Sequence, residues 1–294
     1  MIRTIPVLII GIVSISFAAI FIRLCDDMPS MTIAGFRFTI ASLILLLISC
    51  FRKTTLAQLS SKDFFWCALS GVFLALHMIL WIMALKMTSV SSAVVLVTTN
   101  PIFVGIFSYV LLKEKQSKEL VIGILLSFAG SAVIAVGDGG ISGLAVEDKT
   151  ALTGDMLALV GAVMASGYLI IGSKMREKMD TFSYILIVYT ITAFIVLSAV
   201  FIGGYPVLGF KASSYTSVVL LAIVPQLIGH TSFNWVLKHL KTSMVAITIL
   251  GEPVGASILA YIFFKESISL LQFSGILAIF AAIVIASRKG SKYG

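Results

Sequence analysis

Apolar runs of about 20 residues recur along the whole chain, each long enough to cross roughly 30 Å of hydrocarbon as an α-helix. Such runs leave few choices, because a segment in lipid must pair its own backbone N–H and C=O groups. None of them alternates with period two, which argues against a β-barrel. Of the 294 residues, 59% are hydrophobic and 12% charged, whereas soluble domains run at about half and a quarter. The chain therefore reads as an all-α membrane protein. Met1 to Leu24 is taken as the first span and not as a signal peptide, since no small-residue cleavage site with a soluble domain follows. Cys25, Cys50 and Cys67 are unevenly spaced in or beside apolar runs and suggest neither a disulfide framework nor a zinc site.

One stretch occurs twice. Asn100-Pro101 opens a run that passes Tyr109 and stops at Lys113-Glu114; about 152 residues later Glu252-Pro253 opens another that passes Tyr261 and stops at Lys265-Glu266. The register continues beyond it, with Gly123-Ile124-Leu125 answered by Gly275-Ile276-Leu277 and Phe128-Ala129 by Phe280-Ala281. The second half thus reads as a diverged copy of the first.

Ten spans are expected, at Ile5 to Arg23, Thr32 to Cys50, Phe64 to Leu85, Val90 to Leu112, Leu120 to Val136, Gly154 to Lys174, Phe182 to Ile202, Tyr215 to Leu237, Ser243 to Phe264 and Ile268 to Ser287. They divide into a first five-helix repeat over residues 1–136 and a second over 154–294. Residues 137–153, with Gly137, Gly139, Gly140 and Gly143 among Asp138, Glu147 and Asp148, read as the linker between them.

Basic residues fix the expected orientation. The N-terminus, the even-numbered loops and the C-terminus hold about fifteen Lys and Arg: Arg3, the groups around Arg52, Lys113, Arg176 and Lys238, and Arg288 with Lys289 and Lys292. The odd-numbered loops hold about five: Arg23, Lys86, Lys149, Lys211 and Lys265. Both termini are therefore expected in the cytoplasm, and the formal charge of +8 is topological, with no call for nucleic acid. Five spans per copy is an odd number, so the second copy enters the bilayer from the opposite side. Two inverted five-helix repeats with a site near the midplane are the architecture of an alternating-access transporter.

Several short motifs carry a resemblance to a known family: Gly35-Phe36-Arg37-Phe38, Ala84-Leu85-Lys86, Asn100-Pro101, Lys113-Glu114, Gly154-Asp155, Glu252-Pro253 and Lys265-Glu266. By these the chain resembles the EamA-type members of the drug/metabolite transporter superfamily over nearly its whole length. The resemblance implies transport of a small metabolite across the cytoplasmic or inner membrane: an amino acid, an amine or a drug-like molecule, with export favoured. It also implies that spans three, four, eight and nine meet at the centre while spans one, two, six and seven act as covers.

Polar residues inside spans are costly and face the bundle interior or a wet cavity. Gln226, His230 and Asn234 lie four apart in the eighth span, on one expected helical face, just after Pro225. His77 and Trp81 are a partial counterpart in the third, and the two histidines would approach one another. With Asn100, these six are the expected substrate contacts, against the plainer reading of interhelical hydrogen bonding. Glu252, just before Pro253, is either a proton carrier or an anchor at a kink beside Gly251 and Gly255. Arg37 either meets an anionic group, pairs with Glu252 or snorkels towards Asp26 and Asp27, with gating or packing favoured. Tyr168 and Tyr189, with Tyr184, are weaker pocket candidates.

No phosphate-binding loop, ATPase signature, His-Glu-x-x-His or serine elbow occurs, so neither an enzyme nor an ATP-driven pump is indicated, and no metal or cofactor is expected. Transport would be passive or driven by a proton or ion gradient. The competing reading is a membrane enzyme or sensor scaffold with a buried polar pocket and no flux; a channel would need a continuous polar path. The partners expected are a small-molecule substrate and the lipid bilayer, with monomer and homodimer equally compatible.

Overall fold

The computed structural model describes residues 4–52, 54, 59–88, 93, 96–139, 149–265 and 268–288. Of the features above, Arg3, Lys53, Glu266, Lys289 and Lys292 lie outside the described residues. So do Gly140, Gly143, Glu147 and Asp148 of the linker and most of the first turns of the expected fourth span.

Every regular element among the described residues is helical: α1 Thr4–Arg23, α2 Ser30–Ser49, α3 Ser61–Met87, α4 Asn100–Leu111, α5 Lys118–Gly139, α6 Lys149–Lys178, α7 Thr181–Ile202, α8 Ala212–Val236, α9 Thr242–Ile249, α10 Gly251–Phe264 and α11 Leu270–Ser287. Eight stretches are long and apolar enough to cross a membrane; α9 and α10 together form one of them. The expected fourth span contains the shorter apolar helix α4, 12 residues long, and the expected fifth falls within the 22-residue α5. Large side chains such as Leu47, Phe194, Phe201, Leu277 and Phe280 expose half or more of their surface, which costs nothing where the solvent is acyl chains as apolar as leucine.

Local chemistry sets the helix ends. Asp180 caps α7 by accepting the Ser183 N–H at 3.1 Å, and Ser269 with Gln272 forms a reciprocal capping box on α11. Proline interrupts the helices where it falls inside them. Between α9 and α10 the chain breaks at Leu250, four residues after Ala246 and just before Pro253, whose missing N–H leaves the Ile249 carbonyl without its helical donor. Helix α4 likewise begins at Asn100 with Pro101 in its first turn.

Contacts group the chain into two units, one of residues 2–75 and 171–238, the other chiefly of residues 76–170 and 239–294. In the first, α2 packs on α7, and α1 and α2 pack on the middle of α8. Each residue of Gly35-Phe36-Arg37-Phe38 has a job there. A Cβ on Gly35 would stand 3.0 Å from Val200, Phe36 meets Tyr215 edge-on, Phe38 meets Tyr189 edge-on, and Arg37 turns towards α8. The α1–α2 loop is tied to the start of α8. Asp27 accepts the Lys211 backbone N–H at 2.7 Å and the Ser214 hydroxyl at 2.5 Å, and Asp26 accepts from Lys211 Nζ at 2.8 Å. The Ser214 hydroxyl, then the Lys211 N–H, hold the Asp27 carboxyl below the usual carboxylate range, while Asp26 pushes the Lys211 amine up.

In the second unit α5 and α11 pack along their length. A Cβ on Gly275 would lie 2.6 Å from the Gly130 carbonyl oxygen and 2.8 Å from Ile134; one on Gly123 would lie 3.1 Å from the Ala282 carbonyl oxygen and 2.9 Å from Ala286. Only glycine admits backbones that close. Gly123 and Gly275, Gly130 and Ala282, Ile134 and Ala286 are each 152 positions apart, so the two contacts are made by corresponding residues with their roles exchanged. The Gly154-Asp155 pair seats α6 on the end of α3: Gly154 leaves room for Met87 and Thr88, and Asp155 accepts the Thr88 hydroxyl at 2.7 Å.

Candidate functional site

Helix α8 is not α-helical throughout. From Ala222 to His230 its backbone is a π-helix, with i→i+5 bonding around Pro225. Proline has no N–H and its ring crowds the carbonyl one turn back; a wider turn accommodates both. The consequence for the polar stripe is direct. Because a π turn takes up more than four residues, Gln226 and His230 do not stack as α-helical spacing predicts. Gln226 and Asn234 are buried, and His230 is only half-buried.

Gln226 faces α2. Arg37, 5% exposed, donates from Nε to Gln226 Oε1 at 2.8 Å, and its guanidinium lies 5.6 Å from the centre of the Phe38 ring. The Tyr189 hydroxyl points at the Gln226 backbone carbonyl at 3.5 Å, the long limit of a hydrogen bond. Arginine has no acceptor, so the amide must turn its oxygen towards Arg37 and its NH2 away. That NH2 is buried and has no partner among the described residues. Arg37 thus meets Gln226, while Asp26 and Asp27 are engaged with Lys211 and Ser214.

Asn234 has a different role. Its amide donates to the His230 carbonyl oxygen at 2.9 Å, bracing the exit from the π segment, while its own carbonyl accepts from Arg176 Nε at 3.1 Å. Arg176, 3% exposed, also donates to the Met179 carbonyl. Sequence reasoning counted Arg176 among the loop cations and missed this. Ser70 and Tyr184, whose hydroxyls lie 2.6 Å apart at full burial, were missed as a pair. No sequence signal joins Ser70 to Tyr184, and Arg176, in the last turn of α6 among Lys174, Glu177 and Lys178, carries none that sets it apart from a loop cation.

His77, Trp81, Asn100, Tyr168 and Glu252 belong to the other unit. His77 Nδ1 is 2.9 Å from the Gly161 carbonyl oxygen, which makes that nitrogen the donor. Asn100 donates to the Ala162 carbonyl at 3.1 Å and to Ser166 Oγ at 2.8 Å, and the Ser166 hydroxyl lies 3.2 Å from the Asn100 carbonyl. These contacts lock α4 to α6 where α4 begins. Trp81 is half-buried, and its indole N–H has no partner among the described residues. Tyr168 is buried in α6. Glu252 sits in the first turn of α10, just past the break, where the helix dipole favours a carboxylate. Among the described residues no three His, Cys, Asp or Glu side chains converge on a metal site.

Comparison with known proteins places this geometry. The EamA-like transporter family matches residues 2–136 and again 152–288. An uncharacterized transporter of Archaeoglobus fulgidus is 26% identical over 275 residues, 92% of both chains. An uncharacterized transporter of Bacillus subtilis, YetK, is 28% identical over 279 residues, 90% of this chain and 80% of its own. Human solute carrier family 35 member G1 is 25% identical over 92% of this chain and 75% of its own. A crystal structure superposes with a TM-score of 0.82 over 97% of this chain and 96% of its own at 18% identity, a likeness of fold.

Proposed function

The chain belongs to the EamA-like transporter family, and from that premise we propose that it is a secondary transporter moving a small metabolite across the cytoplasmic membrane by alternating access. The substrate is an amino acid, an amine or a drug-like molecule, and the direction is export. The observation that carries the reading is the buried Arg37–Gln226 pair on a helix interrupted by a π segment. Interrupted helices with polar groups at the interruption are how transporters of this kind build midplane sites, and α9–α10, broken beside Glu252, supplies a second interruption.

The architecture proposed is two inverted five-helix repeats, residues 1–136 and 154–294, joined by 137–153, with both termini in the cytoplasm. The exchanged contacts between α5 and α11 support it, since a pair of elements related by a two-fold axis meets through corresponding residues. Gln226, His230, Asn234, Asn100, His77 and Trp81 line the site in this reading. Arg37 and Glu252 serve gating or proton transfer, and Tyr168 and Tyr189 complete the walls.

Counterflow tests the reading. Purified protein in vesicles preloaded with pooled metabolites is offered labelled amino acids, amines and sugars, with and without a pH gradient. Saturable uptake of a panel member is expected, accelerated by the gradient in the parent and insensitive to it in Glu252→Gln. Absence of flux from folded protein across the panel overturns the assignment.

A further inference from the structure

In the second unit the Asn100 amide is anchored to α6 through its nitrogen alone. Nδ2 donates to the Ala162 carbonyl at 3.1 Å and to Ser166 Oγ at 2.8 Å. The Ser166 hydroxyl has one proton, spent on the carbonyls of Ala162 at 2.8 Å and Asn100 at 3.2 Å. Both neighbours of the amide can therefore only accept, so its NH2 must face them and its oxygen must face away. Ser166 is fully buried. Asn100 is only half-buried, and its Oδ1 receives no donor from the described residues. The neighbouring residue of α6 meets a group with the opposite need. The Trp81 backbone nitrogen would stand 3.8 Å from a Cβ on Gly161, and the Trp81 indole N–H is buried with no acceptor among the described residues. An acceptor and a donor, each without a protein partner, thus belong to side chains packed on Gly161 and Ala162, and a polar atom shielded from water is stabilised only when something meets it.

We propose that Asn100 Oδ1 is the acceptor that recognises the amino group of the transported molecule, and that Ser166 is the positioning residue that aims it. This rests on the transporter reading and narrows its substrates to those that bring an N–H donor; an amino acid and a simple amine share that group. An oxygen whose own amide is pinned from the other side meets a donor where it already points, with no reorganisation when the ligand arrives. An ammonium N–H makes a charge-assisted bond to it, which outweighs the weaker opposing field of the α4 N-terminus. Ser166 matters because Ala162 alone gives the amide a single anchor. Without the hydroxyl the amide turns more freely, and its NH2 then faces the ligand in place of its oxygen. The Trp81 N–H separates the two sources of the amino group: the carboxylate of an amino acid accepts from it, and a simple amine has nothing to offer it.

The test uses the full-length protein, in detergent for binding read as melting temperature against ligand concentration, and in vesicles for inhibition of counterflow. Four forms of one skeleton are compared. The primary ammonium and its N,N-dimethyl form carry N–H donors; the N,N,N-trimethyl form has the charge and nearly the bulk of the dimethyl form but no N–H; the deaminated form has neither charge nor donor. Sets are built on phenethylamine and isoamylamine and on L-phenylalanine, L-leucine and L-alanine. In the set that binds best, the primary and dimethyl forms are expected to bind about tenfold or more tightly than the other two. Ser166→Ala, which keeps the Ala162 contact and the fold, should narrow that ratio to about threefold or less, and Asn100→Leu should bring it to parity. A purely structural role for either residue lowers the affinity of all four forms alike and leaves the ratio unmoved. An amino acid preferred over its amine, with the preference lost in Trp81→Phe, upholds the subsite and assigns the group to an amino acid; parity between the two upholds it for an amine. A trimethyl form bound as tightly as the dimethyl form, or a ratio unchanged in Ser166→Ala, overturns the subsite. Counterflow of a labelled sugar with no response to any amino compound also overturns it and leaves the transporter reading standing. An N–H preference that Ser166→Ala narrows, in a protein without counterflow, upholds the subsite and overturns the transporter reading.

Discussion

Lys113 and Lys265, 152 positions apart, both leave their helices in the left-handed region, with φ of 56° and 59°. The turn lets the chain fold back: the Glu114 N–H reaches the Ser108 carbonyl at 3.1 Å after α4, and the Lys265 N–H reaches the Tyr261 carbonyl at 3.1 Å after α10. The Lys-Glu signature is thus a helix stop whose first residue occupies a conformation glycine adopts without strain. Lys113→Gly and Lys265→Gly should each stabilise the protein by about 1 kcal/mol, seen as a higher melting temperature in detergent. Lys113→Val should lower it.

The α5–α11 crossing tolerates no side chain. A Cβ at Gly275 would meet the Gly130 carbonyl oxygen at 2.6 Å, so Gly275→Leu should cost about 3 kcal/mol or more through overpacking. It should sharply reduce the fraction of protein that elutes as a folded species. Gly130→Leu should do the same, since its Cβ would lie 2.9 Å from the Gly275 carbonyl oxygen.

Tyr184→Phe removes the 2.6 Å bond to Ser70 between two fully buried hydroxyls. A loss of about 1 kcal/mol is expected, with flux per folded molecule unchanged. Gly172→Ala should produce a similar loss, because its Cβ would stand 2.8 Å from the same Tyr184 oxygen.

The loop cluster sets a pH window. Asp27 has its folded pKa lowered from 3.8 and Lys211 has its raised from 10.5. The Asp27 contribution is therefore present above the ordinary carboxylate range and lost as pH falls through its lowered value; that of Lys211 is present below 10.5 and lost as pH rises through its raised value. Melting temperature should be flat between these limits and fall outside them. Asp27→Asn should flatten the acid limb and leave the basic one.

Members of the polar stripe should differ in kind. Gln226→Ala should cut flux about tenfold or more while the protein folds. Asn234→Ala should first lower folded yield, because it frees the His230 carbonyl that its amide holds at 2.9 Å. His230→Ala, at a half-buried position, should leave yield intact. Yield by size-exclusion chromatography and initial uptake rate distinguish these outcomes.

What the sequence made legible was whatever depends on neighbouring residues. Apolar length located the helices, and paired spacing located Lys113 and Lys265 as equivalent stops before their backbone was known. Asn100 and Glu252, each just before a proline in the sequence, stand in the first turns of α4 and α10. Contacts between distant residues were not legible. Gln226 is 189 positions from Arg37, and nothing in either helix names the other. The stripe of Gln226, His230 and Asn234 was read with a uniform 3.6-residue turn, and Pro225 was the signal that this period fails there. The close approach of Gly130 to Gly275 joins small residues of two different helices, and no spacing within either helix points to it.

The π segment also bears on how the two halves are aligned. His77 and His230 are 153 positions apart, one more than the 152 that separates Lys113 from Lys265. A helix that gains one residue without gaining length takes up the surplus as a widened turn, and Ala222–His230 is such a turn. The offset is 152 again by Asn100 and Glu252, so a pairing of the two histidines needs one residue taken up inside α8 and given back before Glu252, and an alignment of the halves with gaps only between helices displaces the residues of α8 beyond that turn.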